Sequence, residues 1–230
     1  MNTKESEVGT SNANRLYWIS IAGIVLYLVL DAIAQSLPPH YSPIRDAESD
    51  LAVGPYGYIM AINFLNRGIL SLVFIFAFLK TIDPSGASRK SLRAGYSLLG
   101  VWAVGAILLA FFPTDVPATP MSWHGAIHFV VAIIAFLGGA FGTLAITRQI
   151  SDSPATIGAK RVAQPIAYLV FVFWLVEFLT PFVTPHLVTR FGGLFERLFL
   201  GSVLLWIFAV SLYMVMQKTV PKHSEPQKVP

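Results

Sequence analysis

Phe111-Phe112-Pro113-Thr114-Asp115, a proline-rich turn, and then Trp123-His124-Gly125-Ala126-Ile127-His128 form the stretch from which the rest of the chain is read. One apolar run stops at Pro113, a short loop carries a single carboxylate, and the next apolar run opens with two histidines four residues apart. That spacing places both imidazoles on one face of a helix. The apolar runs on either side are each long enough to cross a bilayer, so the stretch is a polar turn at one membrane face.

Working outward, six apolar runs appear, at about 16–37, 57–79, 92–112, 124–147, 162–182 and 192–216. Each covers a hydrocarbon core of ~30 Å at ~1.5 Å per residue. Backbone groups in lipid must be paired within the segment, so these runs are helices. The expected fold is all-α: a bundle of six transmembrane helices over 15–217, with polar tails at 1–14 and 218–230. Composition agrees, with 55% hydrophobic and only 12% charged residues and a mean hydropathy of +0.64. Soluble domains carry about 25% charged residues.

The net charge of +4 does not indicate nucleic acid, because the basic residues flank apolar runs instead of forming a patch with interleaved aromatics. They report orientation. Lys4 and Arg15, then Lys80, Arg89, Lys90 and Arg93, then Arg148, Lys160 and Arg161, then Lys218, Lys222 and Lys228 fall on one side. Only Arg45 and Arg190 fall in the loops of the other. The positive-inside rule then puts both termini in the cytoplasm of a multi-pass plasma-membrane protein. A cleavable signal is the rival reading of the first run, with Ala32-Ile33-Ala34 as the site; the length of the run and Asp31 beside the site oppose it.

The first outer loop, 38–56, holds Arg45, Asp46, Glu48 and Asp50 before Val53-Gly54-Pro55-Tyr56-Gly57 and reads as a solvated loop. Gly138, Gly139 and Gly142 on helix four and Gly95, Gly100 and Gly105 on helix three read as close helix packing within the bundle.

Asp31, Arg67, Glu177, Glu196 and Arg197 lie inside the spans, where each charge costs at least ~2.5 kcal/mol at the helix centre. All five fall in the outer half, with Asn63 one turn from Arg67. The expectation is an outward-facing ligand cavity of Asp31, Asn63, Arg67, Glu177, Glu196 and Arg197, lined by helices one, two, four, five and six. The alternative is an ion-pair network that fixes packing, with Arg67 on Asp31 or Glu177. The two weigh equally.

Three functional readings follow. In the first, the protein is not an enzyme and its cavity binds a lipid headgroup or small polar solute, with Arg67 and Arg197 facing the anion. In the second, His124, His128 and Asp115, joined by His40 or His186, hold Zn²⁺ for a membrane hydrolase, with Glu177 or Glu196 as base. In the third, Asp31 and Glu177 titrate in a proton-coupled carrier. No cofactor is expected beyond that zinc; membrane lipids are the expected partners. The lack of cysteine removes thiolate metal sites, and the lack of intramembrane lysine removes a retinal Schiff base.

Val53-Gly54-Pro55-Tyr56-Gly57 leading to Asn63 and Gly68, Phe112-Pro113-Thr114-Asp115, Gly125-x-x-His128, and Gly193-Leu194-Phe195-Glu196-Arg197 with Trp206 recur in one order across the six spans. In this the chain resembles the domain-of-unknown-function family numbered 998. The resemblance implies a small six-helix membrane protein and no particular activity. More distantly, the Phe-Pro turn and the helix-four histidine are similar to the Frag1/DRAM/Sfk1 group, which is tied to lipid remodelling and trafficking.

Overall fold

A computed structural model describes residues 3–38, 41–81, 89–116, 119–150 and 157–217. Six helices follow one another: α1 Thr3–Ser36, α2 Gly57–Thr81, α3 Arg89–Leu109, α4 Trp123–Gln149, α5 Ile157–Val183 and α6 Pro185–Gln217. All six are long and apolar enough to cross a membrane. The all-α six-helix architecture is therefore as the sequence implied. His40 and the 218–230 tail lie outside the described residues.

Two boundaries differ from expectation. α1 already begins at Thr3, within the N-terminal polar stretch. α6 begins at Pro185, seven residues before the apolar run, because Thr184 closes a turn on the Thr180 carbonyl (2.9 Å) and Pro185 opens the next helix where no N–H is needed. At 33 residues, α6 is about 50 Å long, more than the hydrocarbon core requires.

The helices pack in sequence order, and α6 closes the ring on α1. α3 and α4 approach closely: a Cβ at Gly138 would lie 2.5 Å from the Leu98 carbonyl oxygen, and one at Gly142 would lie 2.7 Å from the Leu99 nitrogen. These glycines thus serve contacts within the bundle. Several neutral polar groups in the core are paired across helices, Trp102 Nε1 to Ser71 Oγ (3.2 Å), Trp206 Nε1 to Thr147 Oγ1 (3.0 Å) and the Tyr17 hydroxyl with Thr81 (2.6 Å).

The first loop is not a solvated connection. It forms a 3-10 turn, Glu48–Ala52, that buries Glu48 and Leu51 in the bundle end. A 3-10 turn eclipses residues three apart, so Glu48 and Leu51 point the same way. The turn is a cap. Two α6 amides hold it, Gly193 N–H to Arg45 O (3.1 Å) and Leu194 N–H to Ile44 O (2.9 Å). Arg197 adds 3.0 Å bonds to the carbonyls of Pro43 and Asp46 and a short bond to the Tyr41 hydroxyl.

Candidate functional site

Beneath the cap lies a cavity of about 410 Å³ whose polar wall includes Arg67 from α2, His128 from α4, Glu177 from α5 and Glu196 from α6. Its roof is Ala47 and Ser49 of the cap with Thr114 from the α3–α4 turn. The remainder is apolar, largely Phe129, Ile133, Phe136, Leu137, Trp174, Phe178 and Phe182.

Arg67 is 2% exposed and is the eleventh residue of α2. Its guanidinium lies between two rings, 5.1 Å from the Phe64 centroid and 5.0 Å from that of Trp102. Ser71, bonded to the Arg67 carbonyl (2.8 Å), accepts from Trp102 and so fixes that ring. Stacking holds the plane of a guanidinium and leaves its N–H edges to recognise an anion. Here Nε and Nη1 have no hydrogen-bond partner, and the nearest carboxylate oxygen, Glu48 Oε1, is 4.0 Å from Nη1.

Glu48, read from sequence as part of a solvated loop, is 1% exposed and accepts from the Tyr27 hydroxyl (2.6 Å). Its backbone N–H donates to Glu196 Oε2 (2.6 Å), which ties the cap to the cavity wall. A buried cation at mid-helix requires a counter-charge, and besides Asp31 on α1 the acidic loop immediately before α2 is the nearest source of one in sequence. That requirement, together with an apolar residue three positions after Glu48, was the signal available in the sequence.

Of the six residues expected around a ligand, Arg67, Glu177 and Glu196 line the cavity. Asn63 is buried behind them and donates to the Tyr27 carbonyl (3.3 Å), clamping α2 to α1 as Asn66 does through Gly23 O (2.9 Å). Asp31 stays on α1, held by Gln35 (2.5 Å), and α1 contributes nothing to the lining, whereas α3 contributes Leu109. Arg197 is used by the cap. The expected Arg67 pairing with Asp31 or Glu177 is replaced by Glu48. Glu177 itself makes no hydrogen bond or ion pair among the described residues.

The residues considered for zinc are arranged differently. His128 lines the cavity but donates Nδ1–H to the Phe112 carbonyl (2.7 Å). His124 packs on Trp123, its ring centroid 3.4 Å away. Asp115 accepts from the Ser122 amide (2.8 Å), while the Ser122 hydroxyl accepts from Gly125 N–H and caps α4. The Ser122 hydroxyl and, secondarily, its amide donate to the Asp115 carboxylate and hold it below the usual aspartate range. The carboxylate lies so close to α4 that a Cβ at Gly125 would meet its Oδ1 at 2.9 Å, which accounts for that glycine. His186 is exposed at the start of α6. Among the described residues, no group of three or more metal-ligating side chains is placed to hold an ion.

Fold and site together define a polytopic helical membrane protein with Arg67, Glu177 and Glu196 lining a cavity at one end of the bundle. The chain belongs to the family described as "Protein of unknown function (DUF998)", whose profile matches residues 21–213. No curated protein and no solved structure matches it.

Proposed function

We propose that this protein binds the anionic group of a lipid headgroup or small polar solute in the capped cavity, with Arg67 as the anion contact. The observation that carries the reading is the Arg67 guanidinium: buried, oriented by Phe64 and Trp102, and without a hydrogen bond at Nε and Nη1, the latter 4.0 Å from Glu48 Oε1. Leaving a buried charged donor unpaired costs more than an average hydrogen bond returns, about 1–3 kcal/mol or more. A phosphate or carboxylate oxygen in the cavity removes that cost. The role is binding, without covalent chemistry, in the plasma membrane. By the basic-residue count the capped end faces outward and both termini face the cytoplasm.

Native mass spectrometry of the detergent-purified protein tests this. The wild type should retain a phosphate- or carboxylate-bearing molecule, and Arg67→Leu should lose it while still inserting in the membrane. Equal retention by the two proteins would end the assignment.

A further inference from the structure

The cavity has one wall unlike the others. Of its lining residues, those from the cap, α2, α3 and α6 are buried or half-buried. The exposed ones all belong to α4 and α5: Phe129 (57%), Ile133 and Leu137 from α4, and Pro181, Phe178 and Phe182 (76%) from α5. At membrane depth an exposed apolar side chain faces lipid. The same residues therefore border both the cavity and the bilayer.

The geometry of the two helices accounts for this. Towards the other end of the bundle the α4–α5 seam is shut by Phe141 against Phe171 (5.6 Å between centroids) and Trp174 (5.2 Å). No ring contact between α4 and α5 is formed nearer the cap among the described residues. Pro181 also lies in this part of α5, and a proline there offers no N–H to the carbonyl of Glu177 four residues earlier. The aqueous end, by contrast, carries the cap, fastened to α6 by the Gly193, Leu194 and Arg197 bonds.

Charge then narrows the occupant. A simple anion would meet Arg67 but also Glu177 and Glu196, and among the described residues Glu177 has no hydrogen bond or ion pair. A ligand with a cation beside its anion satisfies both ends, the phosphate on Arg67 and the ammonium on Glu177. Trp174 and Phe178, stacked at 5.4 Å on the Glu177 turn, offer aromatic faces to such a cation. The apolar seam suits an acyl chain.

We propose that the cavity is filled sideways from the bilayer, through the seam between α4 and α5, by a phospholipid whose headgroup carries an amine beside its phosphate. This rests on the anion-binding reading of Arg67 and adds to it both the route and the lipid class.

The test uses the full chain in lipid nanodiscs, with fluorescent-tailed phosphatidylethanolamine and phosphatidylglycerol as probes. The sequence holds no cysteine, so Ile133→Cys and, as a control on the lipid-facing side of the same helix, Ile134→Cys can each carry one bulky maleimide. The label at position 133 should slow phosphatidylethanolamine loading by about tenfold or more, and the label at 134 should not. Glu177→Gln, which keeps the side-chain shape, should lower the preference for phosphatidylethanolamine over phosphatidylglycerol by about tenfold, as expected for losing one charge-assisted bond. Unchanged loading with label at 133, while binding still depends on Arg67, overturns the lateral route and leaves the anion site standing. An unchanged lipid preference in Glu177→Gln overturns the amine-bearing class. Lipid binding indifferent to Arg67→Leu removes the anion site and this inference with it.

Discussion

Replacing Gly193 by alanine should lift the cap without weakening the bundle. A Cβ there would fall inside the van der Waals envelope of the Asp46 carbonyl oxygen, 2.7 Å from Asp46 C and 2.9 Å from Pro43 O. All three atoms are backbone, so no side chain can swing aside. Regaining an ordinary 3.4 Å contact moves the Asp46 carbonyl carbon by at least about 0.7 Å. The same shift would lengthen the Gly193–Arg45 and Leu194–Ile44 bonds, now 3.1 and 2.9 Å, beyond hydrogen-bonding range. It would also strain the Glu48 N–H bond to Glu196, 2.6 Å at present. Two neutral bonds at about 1 kcal/mol each and part of a charged one at about 1.5–3 give a loss near 3 kcal/mol for cap docking. That corresponds to a cap released roughly 100-fold more often. The helix itself gains, since alanine replaces a glycine in its interior, by up to about 1 kcal/mol. Hydrogen exchange separates the two effects. The Glu48 amide should exchange about 100-fold faster in Gly193→Ala, with the thermal midpoint of the bundle unchanged or higher. Wild-type protection at Glu48 would refute the claim that the cap is seated by this contact.

Three further outcomes are expected. Asp115→Asn should lower the thermal midpoint at pH 7, by a margin that narrows as pH falls below about 4. The folded carboxyl titrates below its unfolded value of ~3.9, so its contribution is present above that range and is lost as pH falls through the folded value; a difference between the two proteins that does not narrow with falling pH would contradict this. His128→Ala should lower stability by about 2 kcal/mol, by leaving the Phe112 carbonyl unpaired and enlarging the cavity. Elemental analysis should find no stoichiometric zinc in that variant or the wild type, and zinc present only in the wild type would restore the hydrolase reading. Single cysteines at Met121 and Lys228 should be labelled by an impermeant maleimide in intact cells and only after lysis, respectively; the reverse pattern would invert the topology.

The helices were legible because lipid demands long apolar runs, and six of them stand apart in this sequence. Arg67 stood out as a cavity-lining residue for the same reason, since a guanidinium eleven residues into a span is costly wherever it points. The organisation of the site was not, because loop and span residues obey different rules. Of the four charges in 38–56, Arg45 and Asp46 pair with each other (2.6 Å) and Asp50 bonds the Ala47 amide (3.1 Å), as charges in a solvated loop do. Glu48 is of the same residue type, yet it enters the bundle. Nothing in local composition distinguishes it; only the unmet charge of Arg67, which sits on another element, does. Arg197 is the converse case. Its depth suggested a ligand contact, but residues 41–47 fold back and consume its donors with carbonyls that no sequence pattern displays.

Whether the charges mark a site or a packing device turns on how completely they are paired. A network that only fixes packing gains most when every member is satisfied, since a half-satisfied one is worse than an apolar core. Among the other charged and amide groups, Asp31, Asn63 and Arg197 each leave one atom without a hydrogen bond but bond through another, while the neutral Tyr96 and Ser211 hydroxyls are also unbonded. Among the described residues, Arg67 leaves two nitrogens without hydrogen bonds, Nη1 lying 4.0 Å from Glu48 Oε1, and Glu177 on the facing wall makes no hydrogen bond or ion pair. Both border the same cavity. Aromatic rings orient the cation, and the cap that brings Glu48 near it is itself held by α6. That contrast, a firmly held guanidinium whose Nε and Nη1 lack hydrogen bonds and a carboxylate on the same cavity, is what supports the anion-binding proposal.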